Sequence, residues 1–194
     1  MQGFISYSHE DYEDFKLLQM HLRQITLGTR FHFWCDERIR AGYDWHASIL
    51  NEARKSAVFL VLASPNYFAA RYIIEHELPA VRTSQRIDDA LVIPVILEQC
   101  DWEDLLRVPQ AVPVADKRRV KPIKCWDHKG DGFNAARDQI ASALKHKFKL
   151  AAVPLIASGL PAINQTESGL ARIMHHARAF RSCFARARAT APTN

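Results

Sequence analysis

The sequence predicts an α/β fold in which a doubly wound, mostly parallel five-stranded sheet carries helices on both faces. Two observations predict it. Short apolar segments alternate with amphipathic ones along residues 3–147, in the order β-α-β-α-β-α-β-(α)-β-α, and strands joined through helices lie parallel in one sheet. Residues 57–63 (AVFLVLA) are apolar throughout, which is typical of a central strand covered on both faces.

The first third of the chain predicts two strands and two helices. Residues 3–7 (GFISY) are apolar and predict the first strand. Ser8 begins a helix N-cap pattern, and the helix continues through apolar residues at helical spacing to a glycine where a C-cap belongs: Phe15, Leu18, Leu22, Ile25 and Gly28. Residues 31–34 alternate and predict the second strand. Residues 35–44 predict a loop, and the next helix has an apolar face of Trp45, Ile49 and Ala53.

The remaining elements follow the apolar strand at 57–63. Ser64 and Pro65 form an N-cap and first helical position, and the helix runs with a break to about residue 86. Residues 91–96 predict the fourth strand, in which Pro94 indicates an edge or a bulge. A short helix begins near residue 100. Residues 122–126 (PIKCW) predict the fifth strand, and residues 133–147 predict the last helix.

The net charge of +5 comes mostly from the end of the chain. Residues 1–150 predict one domain, and residues 151–194 a basic linker and tail whose single acid is Glu167. Apolar residues at 171–189 recur at helical spacing among arginines, so this segment predicts an amphipathic helix that contacts an acidic partner or an anionic membrane surface, or an extension without a role. The domain itself has little charge excess, and no nucleic-acid partner is expected.

Several classes of protein are disfavoured by what the sequence lacks. No apolar run has the roughly 18 residues of a membrane span, and the N-terminus has no secretory signal, which predicts a cytoplasmic protein. The four cysteines, Cys35, Cys100, Cys125 and Cys183, have no zinc-ligand spacing, so no metal is expected. Neither the dinucleotide fingerprint GxGxxG nor the phosphate-loop pattern GxxxxGK[ST] is present.

Three segments carry a resemblance to a known family. They are FISYSHED at 4–11, Trp34 with the loop 36–45, and Ser64-Pro-Asn-Tyr67 followed by Glu77-Leu-Pro79. In this order, each near the carboxyl end of a strand, they resemble the boxes of bacterial TIR (Toll/interleukin-1 receptor) domains. The resemblance covers residues 3–147 and implies a flavodoxin-like fold.

The resemblance implies two alternative functions. Many TIR domains cleave NAD+ at the nicotinamide–ribose bond, giving nicotinamide and ADP-ribose or a cyclic isomer, in antiphage defence or in interference with host signalling. They use one glutamate after the third strand and self-associate, because a neighbour's loop completes the pocket. Glu77 matches that glutamate, with Glu75 as an alternative. NAD+ is then the substrate and no resident cofactor is expected. Other TIR domains are non-catalytic adaptors that act by homotypic contacts, here through residues 36–45.

The expected substrate-binding residues follow the carboxyl ends of the strands, where ligands bind in parallel sheets. They are Tyr7, Ser8, Asp36, Arg38, Gly42, Trp45, Ser64, Tyr67 and Tyr72. Each has a structural alternative, such as an N-cap for Ser8 or a core position for Trp45. The family often has an aromatic residue four positions before the glutamate, where this chain has Ile73 with Tyr72 beside it. A phosphorylatable receiver is disfavoured because the third strand ends in Ser64 rather than aspartate.

Overall fold

The computed structural model describes residues 1–27, 31–39, 42–116 and 119–149. In this part of the chain four parallel strands form one sheet. Their spatial order is β2-β1-β3-β4, the flavodoxin-like order without its last strand. The strands are β1 (Gln2–Ser6), β2 (His32–Trp34), β3 (Val58–Ala63) and β4 (Leu91–Ile96). The predicted boundary at residue 150, the predicted tail helix at 171–189 and Gly28 lie outside the described residues.

Six α-helices connect and follow these strands in the described part of the chain. They are α1 (Tyr12–Thr26), α2 (Trp45–Arg54), α3 (Pro65–Ala69), α4 (Leu78–Ile87), α5 (Trp102–Leu106) and α6 (Lys129–Phe148). A π-helical turn, Ile73–Glu77, leads directly into α4. Short 3₁₀ turns follow β1 at His9–Asp11 and β2 at Asp36–Arg38. The break predicted in the helix after β3 falls at Ala70, where the backbone is extended.

Strand β3 lies at the centre of two apolar cores, one on each face of the sheet. All six of its residues are buried. Val58, Leu60 and Leu62 pack with α1 and α6 on one face, whereas Phe59, Val61 and Ala63 pack with α2 and α4 on the other. Successive side chains of a strand point to opposite faces, so a strand with helices on both sides must be apolar at every position. The predicted doubly wound fold is confirmed.

The prediction of a fifth strand at residues 122–126 is wrong. Residues 122–126 contain a 3₁₀ turn, Ile123–Cys125, because Pro122 has no N–H and its carbonyl accepts locally from Cys125 N at 2.9 Å. The open edge of β4 is instead bonded by Val112, whose N–H donates to Pro94 O at 2.8 Å and whose carbonyl accepts from Ile96 N at 2.7 Å. The backbone nitrogen of Pro94, which has no hydrogen to donate, therefore faces the edge of the sheet, as its position predicted.

No helix among the described ranges is both long enough and apolar enough to pass through a membrane.

We expect Leu60→Ala to lower the free energy of unfolding by about 2–5 kcal/mol, because the leucine lies fully buried in β3 and its loss leaves a cavity that the packed sheet cannot close. Urea unfolding followed by circular dichroism measures the change. Leu27→Ala is the matched control, since Leu27 is 64% exposed and its truncation should change stability by less than about 0.5 kcal/mol. Equal effects of the two substitutions would contradict the assignment of β3 to the core.

Candidate functional site

The carboxyl ends of the four parallel strands meet at one rim of the sheet, and most of the predicted site residues gather there. Residues 6–9 follow β1, Asp36 lies just after β2, and Ser64 follows β3. The π-helical turn brings Glu77 to the same rim from above the sheet face that carries Phe4 and Ser6. A set of residues distant in sequence thus forms one cluster through the parallel register.

Glu77 points into the molecule and Glu75 points out of it. The Glu77 residue is 8% exposed, and Ser6 Oγ donates to its Oε2 at 2.6 Å. Glu75 is exposed and pairs with Arg71, whose Nε lies 2.6 Å from Glu75 Oε1. Of the two alternative carboxylates, the geometry of the rim therefore favours Glu77.

Ser6 is a site residue that the sequence reasoning did not single out. It is buried, and its hydroxyl contacts both Glu77 and the Tyr67 hydroxyl, the latter at 2.9 Å. Tyr67 itself is fully buried at the end of β3 on helix α3. The available signal was that Ser6 shares the core-facing side of β1 with Phe4, and a hydroxyl at such a position needs a buried partner.

Burial raises the pKa of Glu77 from its ordinary 4.5 to about 7. The Ser6 hydrogen bond opposes this shift because it stabilises the charged form, and nearby His9 opposes it as well, whereas Asp36 adds to it by like-charge repulsion. The carboxyl group is therefore poised between its two protonation states near neutral pH.

Asp36 is held beside Glu77 by two side chains from the segment after β1. Tyr7 donates its hydroxyl to Asp36 Oδ1 at 2.9 Å, and His9 Nε2 lies 3.3 Å from Asp36 Oδ2. The hydrogen bond to Asp36 is the main cause that raises the pKa of His9. The Tyr7 ring stacks on Phe15 at 3.8 Å between centroids. The structure thus joins the predicted residues Tyr7 and Asp36, and adds His9, which was not among the predicted site residues.

Trp45 and Tyr72 form an aromatic pair beside the glutamate. Their ring centroids lie 4.3 Å apart, and the Tyr72 hydroxyl bonds His46 Nδ1 at 2.9 Å. Burial, with the charges of Glu77 and Asp44, raises the pKa of Tyr72 to about 12, which agrees with its position near the carboxylate. Within the described residues the buried Trp45 Nε1 has no hydrogen-bond partner.

Ser8 and Ser64 are buried around Asp11 rather than exposed at a pocket wall. The Ser64 hydroxyl donates to Asp11 Oδ2 and accepts from Tyr67 N at 3.0 Å, which caps helix α3. Asn66 Nδ2 donates to the other Asp11 oxygen at 2.9 Å. Ser8 accepts from Asp11 N through its carbonyl at 2.8 Å. These contacts give both serines a structural role, and their contact with a substrate stays a prediction.

Arg38 and Gly42 belong to the exposed segment that follows β2. Arg38 lines a cavity of about 250 Å³ between β2 and α2, together with Trp34, Ile39, Tyr43, Ser48 and Glu52. Gly42 is exposed with φ of +89°, a conformation that favours glycine. A larger cavity of about 770 Å³ lies beyond the end of β4, around Cys100, Trp102 and Arg119. Neither cavity is lined by Glu77, so neither large opening coincides with the carboxylate cluster.

The described residues contain no group of three His, Cys, Asp or Glu side chains arranged to hold a metal ion. The acids and histidine at the rim are paired with hydroxyls and with each other instead.

We expect the stability of the protein to fall as the pH rises from about 4.5 to about 7, because over this range the folded state binds a proton at Glu77 that the unfolded state has released. Above this pH range, the buried ionised carboxylate lowers the free energy of unfolding by on the order of 3 kcal/mol. Glu77→Gln should remove this cost, so the variant should match the wild type near pH 4.5 and exceed its stability at pH 8. Urea unfolding at both pH values measures the difference.

The matched control is Glu75→Gln, which changes an exposed carboxylate. It should leave the pH dependence of unfolding unchanged. Parallel stability curves for Glu77→Gln and the wild type would show that the carboxyl group is not buried in solution.

Comparison with known proteins identifies the family to which this chain belongs. A curated protein of Sinorhizobium fredii, uncharacterized protein y4lF, is 28% identical over 151 residues, which are 78% of this chain and 46% of that protein, so the chain spans about half the length of this relative. A solved TIR domain of the Toll-related receptor TRR-2 from Hydra magnipapillata is 20% identical, with a TM-score of 0.44 over 59% of this chain and 85% of that chain. The sequence profile of the TIR domain family matches residues 4–146. The chain belongs to the TIR domain family.

Proposed function

We propose that this TIR domain cleaves NAD+ at the nicotinamide–ribose bond, with Glu77 as the catalytic carboxylate. The observation that carries the proposal is the position of Glu77 at the carboxyl-end rim of the sheet, drawn inward by the 2.6 Å hydrogen bond from Ser6, where parallel sheets bind ligands. Family membership supports it, because many TIR domains have this activity. The products are nicotinamide and ADP-ribose or a cyclic isomer.

The chemistry requires one carboxylate at a fixed position. Nicotinamide in NAD+ is already a cationic leaving group and needs no general acid. As the bond breaks, positive charge develops on the ribose, as in glycoside hydrolysis. An ionised carboxylate held beside the ribose stabilises that charge and accepts hydrogen bonds from the ribose hydroxyls. Trp45 and Tyr72 offer ring faces next to this position.

Self-association is part of the proposal. Glu77 is only 8% exposed, so a substrate needs a further wall or a local opening to reach it. A second copy of the domain would supply that wall, as the family's homotypic contacts suggest. A cytoplasmic location, where NAD+ is available, and a role in bacterial antiphage defence or in interference with host signalling belong to the same proposal.

A second candidate function is a non-catalytic adaptor that acts by homotypic contacts. The restricted access to Glu77 favours it, and so does the exposed surface after β2, where Arg38, Gly42 and Tyr43 are all exposed. Tyr43 is 68% exposed, and an aromatic side chain of this kind is common at protein interfaces. Here the segment 36–45 would form the contact, and the carboxylate cluster would have no chemical role.

We expect Glu77→Ala to reduce NAD+ consumption by about 10²–10³-fold, because it removes the charge that stabilises the transition state. Concentrated purified protein is incubated with NAD+, with a crowding agent to favour assembly, and nicotinamide release is measured by chromatography. Glu75→Ala is the matched control and should retain activity, because Glu75 is exposed and paired with Arg71. The proposal fails if the wild type consumes no NAD+ under these conditions, or if Glu77→Ala remains as active as Glu75→Ala.

The adaptor function makes a different prediction about the loop. If segment 36–45 is the contact, Arg38→Ala should reduce self-association at least tenfold, while Glu77→Ala leaves it unchanged. Analytical ultracentrifugation measures the association. Arg54→Ala is the control, since Arg54 is an exposed arginine at the far end of α2. Equal association of the Arg38 and Arg54 variants would contradict a contact through this loop.

A further inference from the structure

A continuous chain of hydrogen bonds leads from Tyr67 through Ser6 to Glu77. The Tyr67 hydroxyl and Ser6 Oγ lie 2.9 Å apart, and Ser6 Oγ lies 2.6 Å from Glu77 Oε2. Tyr67 is 0% and Ser6 1% exposed. The three side chains come from three different elements, namely α3, β1 and the π-helical turn, so the fold must be complete for the chain of bonds to form.

The direction of the protons in this chain depends on the charge of Glu77. When the carboxylate is ionised, Ser6 donates its single proton to Glu77, and Tyr67 donates its own to Ser6. Every buried donor then has an acceptor. When Glu77 is protonated and donates to Ser6, the Ser6 proton loses the carboxylate as its acceptor. Within the described residues, Ser6 is the hydrogen-bond partner of the Tyr67 hydroxyl, so either the serine proton or, if that proton turns toward Tyr67, the tyrosine proton would then be buried without an acceptor.

We propose that Ser6 and Tyr67 act as positioning residues that orient the Glu77 carboxylate at the rim and favour its ionised, reactive form. This inference rests on the proposed function, because it names the groups that keep the catalytic carboxylate in the state that stabilises a cationic ribose. Ser6 acts by donating directly to Glu77. Tyr67 acts through Ser6. Its hydroxyl donates a hydrogen bond to the serine oxygen, and this directs the serine's own proton toward the carboxylate.

Other charged and titratable groups face Glu77 from each neighbouring element. His9 approaches from the segment after β1, Asp36 from the turn after β2, and Tyr72 from the residue before the π-helical turn. Asp36 and His9 are paired with each other at 3.3 Å, so their effects on Glu77 partly cancel. Burial, which disfavours the ionised form, is opposed mainly by the Ser6 bond. Removal of the serine hydroxyl should therefore change the titration of Glu77 with little compensation.

The test is the titration of the Glu77 carboxyl group in solution. Protein labelled with ¹³C at the glutamate side-chain carboxyls is titrated by NMR, and the Glu77 signal is assigned by its absence in Glu77→Gln. In parallel, the pH dependence of NAD+ cleavage is measured. Ser6→Ala should raise the pKa of Glu77, and with it the acidic limb of the activity profile, by about one pH unit, because a hydrogen bond to a charged group is lost.

Tyr67→Phe should raise the same pKa by a smaller amount, because Ser6 remains able to donate, and Ser6→Thr should keep the wild-type value because it retains a hydroxyl. Matched controls remove similar groups elsewhere. Ser56→Ala removes a buried hydroxyl that bonds Glu52 O at 2.9 Å, and Tyr12→Phe removes a hydroxyl that donates to Glu37 at 2.6 Å. Neither control should move the Glu77 titration. Tyr67→Phe keeps the ring volume, so it decides the question if Ser6→Ala does not fold.

The possible results separate this inference from the proposed function. We call the action of Tyr67 and Ser6 on Glu77 through these hydrogen bonds the relay. It is overturned if the pKa of Glu77 in Ser6→Ala equals the wild-type value, or, where Ser6→Ala does not fold, if the pKa in Tyr67→Phe does. A shift in Tyr67→Phe as large as that in Ser6→Ala overturns the order Tyr67–Ser6–Glu77. If the carboxyl titration shifts as expected while no variant consumes NAD+, the relay is supported and the NAD+ cleavage proposal fails. If NAD+ is cleaved and both profiles stay unmoved, the relay alone fails.

Discussion

The rim of this domain depends on one buried carboxylate and the hydroxyl that stabilises it. An ionised carboxylate taken out of water is costly unless it is hydrogen-bonded, and the Ser6 hydroxyl on strand β1 offsets part of that cost at Glu77. This bond joins the sheet to the helix that passes over it, so the position of helix α4, the direction of the glutamate and its protonation are linked. Loosening that contact would affect both the local packing and any chemistry at the rim.

The parallel sheet explains why the polar residues gather at one end. Strands that run in the same direction present all their carboxyl ends at one rim, and each is followed there by a polar segment that cannot continue the apolar strand. Asp36 is held by Tyr7 and His9, and Asp11 by Ser64 and Asn66. The first group lies beside Glu77, whereas the second fastens helix α3. Two aspartates at this rim thus have different roles: Asp36 lies beside the candidate site, and Asp11 stabilises the start of helix α3.

Much of the fold could be predicted because apolar pattern and helix start signals agree with each other. The run 57–63 became the central strand, and Ser64 with Pro65 caps α3 as expected. The segment 122–126 could not be assigned correctly, because Ile123 is buried from a 3₁₀ turn and hydropathy alone does not distinguish that from a strand. In the site, the resemblance favoured Glu77 and kept Glu75 as an alternative, because only tertiary packing, which places Glu77 against Ser6 and leaves Glu75 exposed, separates the two. Ser6 was overlooked because its importance comes only from partners 61 and 71 residues away.

The π-helical turn also changes how distances along the chain should be counted. Leu78 N bonds to Ile73 O, five residues back, where an α-helix would bond four residues back. Counting four residues upstream of Glu77 reaches Ile73, which is buried in the core, whereas counting five reaches Tyr72, which packs on Trp45. A search pattern with a fixed four-residue gap between aromatic and acid would pass over this chain. Conversely, deleting one residue between Tyr72 and Glu77 would give a regular α-helix in which the aromatic residue and the acid are four positions apart and again lie on one face, so the extra residue changes their spacing in the sequence but not the face of the helix that they share.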